Sequence, residues 1–307
     1  MNKQVDDPGL GTLSKDKAQR FIGLDGKFNI AHINKKKSFN EAYTYLIGVS
    51  WPRFFILLLG GFTSINVFFA SIYVFLGVEN INAVHKTFIQ DFLNASFFSV
   101  QTLTTLGYGY YSPQNIAVGF VSSIEAILGL ITFAFITGLL YGRFSKPKVN
   151  IRFSDHLLYC KHKGEDAIMF RLTSRKKALI INPRVDVSLS LSVLGSDDKL
   201  KNNFFSLSLV RDTITYLPTT WTLVHVINET SPLSKFSNDE IKKLQGELLI
   251  LFSYYDELYN QELHQVHSYI LKNLKFDHVF KKAYYYNEEG KIVLDHNLLN
   301  EIEPQLL

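Results

Sequence analysis

Residues 104–109 read Thr104-Thr105-Leu106-Gly107-Tyr108-Gly109 and lie between two long apolar stretches. Two glycines flanking one tyrosine grant the backbone angles that side chains disfavour, which a loop needs to turn its carbonyls to one side. Tyr108 is placed to wedge sideways, and Thr105 to add a hydroxyl oxygen at one mouth of the loop. Alone, the hexapeptide is equally compatible with a Gly-Tyr-Gly turn in an ordinary loop, because glycine and tyrosine are both abundant in this chain. Its surroundings decide the matter.

Phe54 to Val78 holds 25 residues without a formal charge, more than the ~20 a helix needs to cross the hydrocarbon core. Trp51, Pro52 and Arg53 precede it as an interfacial aromatic and a basic anchor would. A second apolar run extends from Ile116 to Tyr141, broken only by Glu125. Two such runs in one small chain argue for membrane spans over buried core helices. Nine lysines and arginines lie in residues 1–53, one (Lys86) in 79–115, and Arg143, Lys146, Lys148 and Arg152 follow the second run. This asymmetry predicts cytoplasmic termini and an external connecting loop. The first 38 residues lack the apolar core of a cleaved signal peptide, so the first span is expected to be retained.

The connecting loop is too apolar for a surface connection. Residues Asp91 to Thr104 have helical periodicity and an acidic first turn. They predict a helix dipping into the membrane with its partially negative end toward a cation. Non-helical backbone at that depth is tolerated only where it lines a water-filled path. The expected module is span, pore helix, carbonyl-lined filter (Thr105 to Gly109), span. Potassium filters are built from four such loops. The chain carries one filter segment and no internal repeat, so a homotetramer is expected.

Ahead of the first span, Phe39, Ala42, Tyr43, Leu46 and Val49 fall near one face of Ser38–Ser50, as in a helix lying in the interface. Beyond residue 149 the texture changes to alternating runs: Ala178–Asn182, Val185–Val193, Phe204–Val210, Trp221–Ile227 and Leu248–Phe252. They predict an antiparallel β-sandwich, with a short helix over Ser237–Gln245 capped by Ser237 or Asn238. The domain plan is thus a cytoplasmic segment 1–37, an interfacial helix 38–50, a transmembrane pore domain 51–145 and a cytoplasmic β-sandwich 146–307. A net charge of +4 implies no strong nucleic-acid field. The nine histidines are scattered without metal-ligand spacing, and the lone Cys160 has no pairing partner. No cofactor is expected and no catalytic constellation is present, so the chain does not read as an enzyme. Arg211, Asp212, His225 and Glu229 are expected to pair structurally. No Gly-rich phosphate loop follows a strand.

These residues resemble the inward-rectifier potassium channel family, most closely its bacterial branch. The likeness runs from Asp7-Pro-Gly-Leu-Gly to Glu303-Pro304. It rests on Ser50-Trp-Pro-Arg-Phe-Phe, Phe97 to Gly109, Ser112-Pro-Gln, Thr137-Gly-Leu, Arg143-Phe-Ser-Lys-Pro, Leu209-Val-Arg-Asp and Trp221 to Leu233. The resemblance implies a fourfold potassium channel whose immunoglobulin-like cytoplasmic sandwiches extend the ion path. It further implies K+ sites at Thr105, Leu106, Gly107 and Tyr108, a gate at Tyr141, and an inner path lined by Phe133 and Thr137. Tyr141 also suits the aromatic belt of the interface. Glycines 129 and 138 suit bending or, more simply, close helix packing.

Departures from the family pattern matter too. Gln101 and Tyr111 replace the glutamate–arginine pair that commonly braces the filter. Support is expected instead from Gln101, Thr104, tyrosine packing at Tyr111, and Glu125. Leu106 replaces valine or isoleucine, Tyr110 replaces an external aspartate, and Phe133 replaces a blocker-binding acid. Lys35, Lys36, Lys37, Arg143, Lys146 and Lys148 would lie near anionic lipid headgroups, although the positive-inside rule alone explains the same counts. A single cysteine excludes the external disulfide of eukaryotic members and fits a bacterial inner membrane. A weakly selective cation channel, or a non-conducting membrane-anchored sensor, stand as alternatives.

Overall fold

The computed structural model describes residues 4–5, 8, 10, 20–23, 26–34, 39–147, 149–175, 180–194, 200–257 and 259–305. They form two compact units, one of residues 34–146 and one joining residues before 34 to those after 146.

The first unit is helical. A short helix α1 (Phe39–Gly48) leads to α2 (Trp51–Leu76), α3 (Phe88–Leu103) and α4 (Ile116–Phe144). Both α2 and α4 are long and apolar enough to cross a membrane. Pro52 sits in the opening turn of α2, where its missing N–H is no loss, and α1 ends ahead of it at Gly48. The pore helix starts three residues before the predicted Asp91, with Thr87 as N-cap accepting from the Gln90 amide. Asp91 is buried and accepts from the Lys86 amide (3.1 Å), while its second oxygen meets His85 Nδ1 at 2.5 Å. Asn115 caps α4 by accepting from the Val118 amide. Phe69, Ala70 and Tyr73 of α2 pack on Ala95 and Phe98 of α3 and on Val118 of α4.

The second unit is a sandwich of two five-stranded sheets. One sheet runs β1 (Gln4–Val5), β6 (Leu200–Leu207), β5 (Ile181–Leu194), β8 (Gly246–Asp256), β9 (Gln261–Ile270). The other runs β10 (Lys275–Phe276), β3 (Leu158–His162), β4 (Glu165–Ser174), β2 (Ile151–Phe153), with β7 (Thr220–Val226) also pairing β4. Their inner faces meet in one core that includes Phe170, Leu172, Val187, Leu189, Leu223, Ile250 and Phe252.

The sandwich holds more strands than the sequence signalled. β2, β3, β4 and β9 were not expected; β4 is buried without a break from Ala167 to Ser174, on both faces. The two runs predicted around 180–193 join in one strand with an irregularity between Ile181 and Arg184. The run at Phe204 stops at Leu207, and Ala178 lies outside the described residues. One strand pair, β10 with β3, is parallel. The helix expected over 237–245 shortens to α5 (Asn238–Ile241), closed at its start by a Ser237–Glu240 capping box.

Arg20, Phe21 and Ile22 pack on the sandwich. The Phe21 and Ile22 amides donate to the buried Glu247 carboxylate at 2.7 and 3.3 Å. Arg171, buried in β4, donates to the carbonyls of Lys281, Leu298 and Leu299 and lies 4.6 Å from the Phe280 ring. Neither tie was legible in the sequence, because both join segments more than a hundred residues apart.

Candidate functional site

α3 ends at Leu103, and the chain leaves it in an unusual conformation. Thr105, Gly107 and Gly109 have φ of 59°, 51° and 85°, while Leu106 and Tyr108 keep negative φ. An alternating sign of φ is the backbone condition for turning successive carbonyls to one side. An ordinary pleated strand would alternate them. The glycines reach positive φ without steric cost. Thr105 does so at a cost of ~1–2 kcal/mol, a feature that sequence reasoning did not locate.

This conformation is held from the rear. The Gln101 carbonyl accepts from the amides of Leu106 (2.8 Å) and Gly107 (3.3 Å), and the Thr105 amide donates to Thr102. Beyond the loop, the Ser112 and Gln114 amides donate to the carbonyls of Ile81 and Asn80, anchoring the outer limb to the turn after α2. Tyr108 is 74% exposed in the single chain. Tyr110 and Tyr111 meet edge to face at 4.8 Å.

The supporting residues divide. Tyr111 donates to Asn94 Oδ1 of α3 at 3.1 Å, and Thr104 turns its hydroxyl back to the Val100 carbonyl. Gln101 braces the loop through its backbone; its side-chain oxygen is buried without a hydrogen-bond partner among the described residues. The hydrogen bond expected from that side chain is therefore missing within the protomer. Glu125 is fully buried and serves the pore helix instead of the loop. It accepts from Tyr73 Oη at 2.6 Å and from the Ser99 hydroxyl, while Asn66 Nδ2 donates to Ser99 Oγ at 3.0 Å. This network ties α2, α3 and α4 behind the loop. Only Glu125 was singled out from the sequence, although Asn66 and Tyr73 in an apolar span were a usable signal.

Gly129 fits against the end of the pore helix. A Cβ there would stand 2.0 Å from the Leu103 carbonyl oxygen. Close packing is thus its role, whereas Gly138 has open space within the protomer.

Lower on α4, Phe133, Thr137 and Tyr141 are all exposed in the single chain, Phe133 and Tyr141 to 74%. Arg143 is committed elsewhere than expected. Its guanidinium donates to the carbonyls of Leu46 (2.6 Å), Ile47 (3.1 Å) and Val49 (2.7 Å), at the end of α1. Its carbon lies 4.5 Å from the Trp51 ring and 4.4 Å from Phe54. Lys146 is exposed, while Lys35, Lys36, Lys37 and Lys148 lie outside the described residues.

Two spans bracketing a short helix and a loop whose φ alternates in sign, continued by a β-sandwich, define a two-span pore-loop channel subunit. A family profile described as "Inward rectifier potassium channel C-terminal domain" matches residues 151–305, and one described as "Ion channel" matches residues 54–146. The chain belongs to the inward rectifier potassium channel family. Inward rectifier potassium channel Kirbac3.1 of Paramagnetospirillum magnetotacticum is 28% identical over 92% of this chain and 95% of its own length. Human G protein-activated inward rectifier potassium channel 2 is 24% identical over 94% of this chain and 73% of its own. The likeness to the first places the chain with the bacterial type.

Proposed function

We propose that four copies of this chain enclose a potassium-conducting pore, with ions held by the carbonyls and threonine hydroxyls of Thr105, Leu106, Gly107, Tyr108 and Gly109. The observation that carries this reading is the alternation of backbone handedness at 105–109, which supplies one side of a carbonyl cage that a fourfold axis closes. Residues 51–145 act as the pore domain, 38–50 as an interfacial helix and 146–307 as the cytoplasmic sandwich, with both termini cytoplasmic and the bacterial inner membrane as the setting. Tyr141 closes the path at the inner end of α4, below Phe133 and Thr137. Anionic lipids modulate it through Lys146, Lys148 and Lys35–Lys37. Arg143 acts on the same gate as a joint, since both its Nη groups donate to carbonyls at the end of α1 and just beyond it.

Barium-sensitive rubidium uptake into potassium-loaded liposomes tests the pore. Uptake that sodium cannot support is the expected outcome; no uptake in neutral or anionic lipid would overturn it. A second reading, a weakly selective cation channel, draws on the unpartnered Gln101 side chain. A reversal potential near zero under a potassium–sodium bi-ionic gradient would favour it.

A further inference from the structure

The sandwich carries a concave site that ion conduction does not use. It has a volume of about 520 Å³ and lies between the Arg20–Phe21 segment, the inner ends of β5 and β6, the turn after α5 and the start of the 3₁₀ turn Leu271–Asn273. That volume falls in the range of small-ligand clefts.

Four cations from three separate segments line it: Arg20, Lys242, Lys243 and Lys272. The acid that lines it, Glu247, has both carboxylate oxygens occupied by the Phe21 and Ile22 amides. Lys242 shares its charge with Asp239 at 3.2 Å, but Lys243 and Lys272 form no salt bridge among the described residues. The floor is polar and buried: Ser190 is 2% exposed and Asn202 4%. Arg20 donates through Nη2 to Ser268, yet its Nε–H is buried with no acceptor. With Nε closed off from the cleft and Nη2 on Ser268, Nη1 is the part of the guanidinium left for a ligand. Four cations against the one carboxylate of Glu247 leave the lining positive, which concentrates anions.

We propose that this cleft binds a small, multiply charged phosphate compound, with the Arg20 guanidinium and the Lys243 and Lys272 ammonium groups as its charge partners and Asn202 at its floor. Phosphate chemistry fits because a planar guanidinium and flexible ammonium groups together satisfy several oxygens of one dense anion. A carboxylate ligand would leave most of these donors idle.

Calorimetric titration of sodium pyrophosphate into the full-length protein, held in nanodiscs of zwitterionic lipid, tests this. Saturable binding is expected, weakened at least tenfold in K243Q/K272Q and weakened also by added salt. The variant K161Q/K291Q, altered on the same domain away from the cleft, should bind like the original. Repeating the titration with phosphatidylglycerol in the nanodisc separates the sources. Unchanged affinity assigns the site to a soluble phosphate, and competitive loss assigns it to a lipid headgroup. No saturable heat up to millimolar pyrophosphate, or equal affinity in K243Q/K272Q, would overturn the proposal.

Discussion

Single residues carry much of the cost of this fold. Thr105 is forced to positive φ, and the glycines beside it are not free choices. Gly129 shows the packing version of that constraint. In G129A the new methyl must displace the Leu103 carbonyl at the base of the filter loop, with overpacking worth ~1–3 kcal/mol. Thermal unfolding monitored by size-exclusion chromatography should show G129A well below the parent. His267 offers a residue-scale pH test. It stacks on Phe153 at 4.5 Å, and burial, then the Arg20 charge, push it down to about 4. As pH falls from about 6.5 toward 4, the unfolded chain takes up a proton that the folded domain refuses. Stability should therefore decline through that window, by on the order of 3 kcal/mol, and change no further below it. H267Q should flatten the slope of melting temperature against pH between those limits.

At the scale of elements, Arg143 links α4 to the end of α1. Three carbonyls and two aromatic rings hold one guanidinium, so movement of either helix acts on the other. R143Q should change rubidium uptake in zwitterionic and anionic liposomes alike, because it cuts a joint. K146Q should change only the dependence on anionic lipid. If R143Q matters in anionic liposomes alone, Arg143 is a headgroup ligand and the joint is incidental. The Glu125–Ser99–Asn66–Tyr73 network is the other element-scale tie. It fixes the pore helix that presents the Gln101 carbonyl to the filter amides.

On the scale of the whole molecule, the C-terminal end of the sandwich is clamped by one buried cation. Arg171 holds carbonyls from residues 281, 298 and 299, and burial lowers its pKa to about 10, still charged at neutral pH. R171M would remove this donor from all three; Leu298 keeps the Glu301 amide, while the buried Leu299 carbonyl loses its Arg171 bonds at about 1–3 kcal/mol where water cannot reach it. Limited proteolysis should then cut within 281–305 much faster than in the parent. The lone Cys160 has no such reach. Burial, then Asp277, raises its thiol to about 11, and it packs as a small hydrophobe.

The membrane module was readable because its signals are local. Apolar runs, the second broken only by Glu125, give the spans, and Gly107 and Gly109 permit a backbone that few other residues do. Alternation likewise betrayed the strands whose outer face is wet. It could not betray β4, which is covered on both faces, nor short segments such as β2 whose pattern spans too few residues. Partnership was beyond the sequence altogether. Local chemistry states that Arg143, Arg171 and Glu125 carry donors and acceptors, but which groups they meet depends on chain brought close from dozens to more than a hundred residues away. Basic residues after a span look alike as a string. Folding alone sets one guanidinium on carbonyls and leaves another ammonium in solvent, because desolvated donors must find acceptors and exposed ones need not.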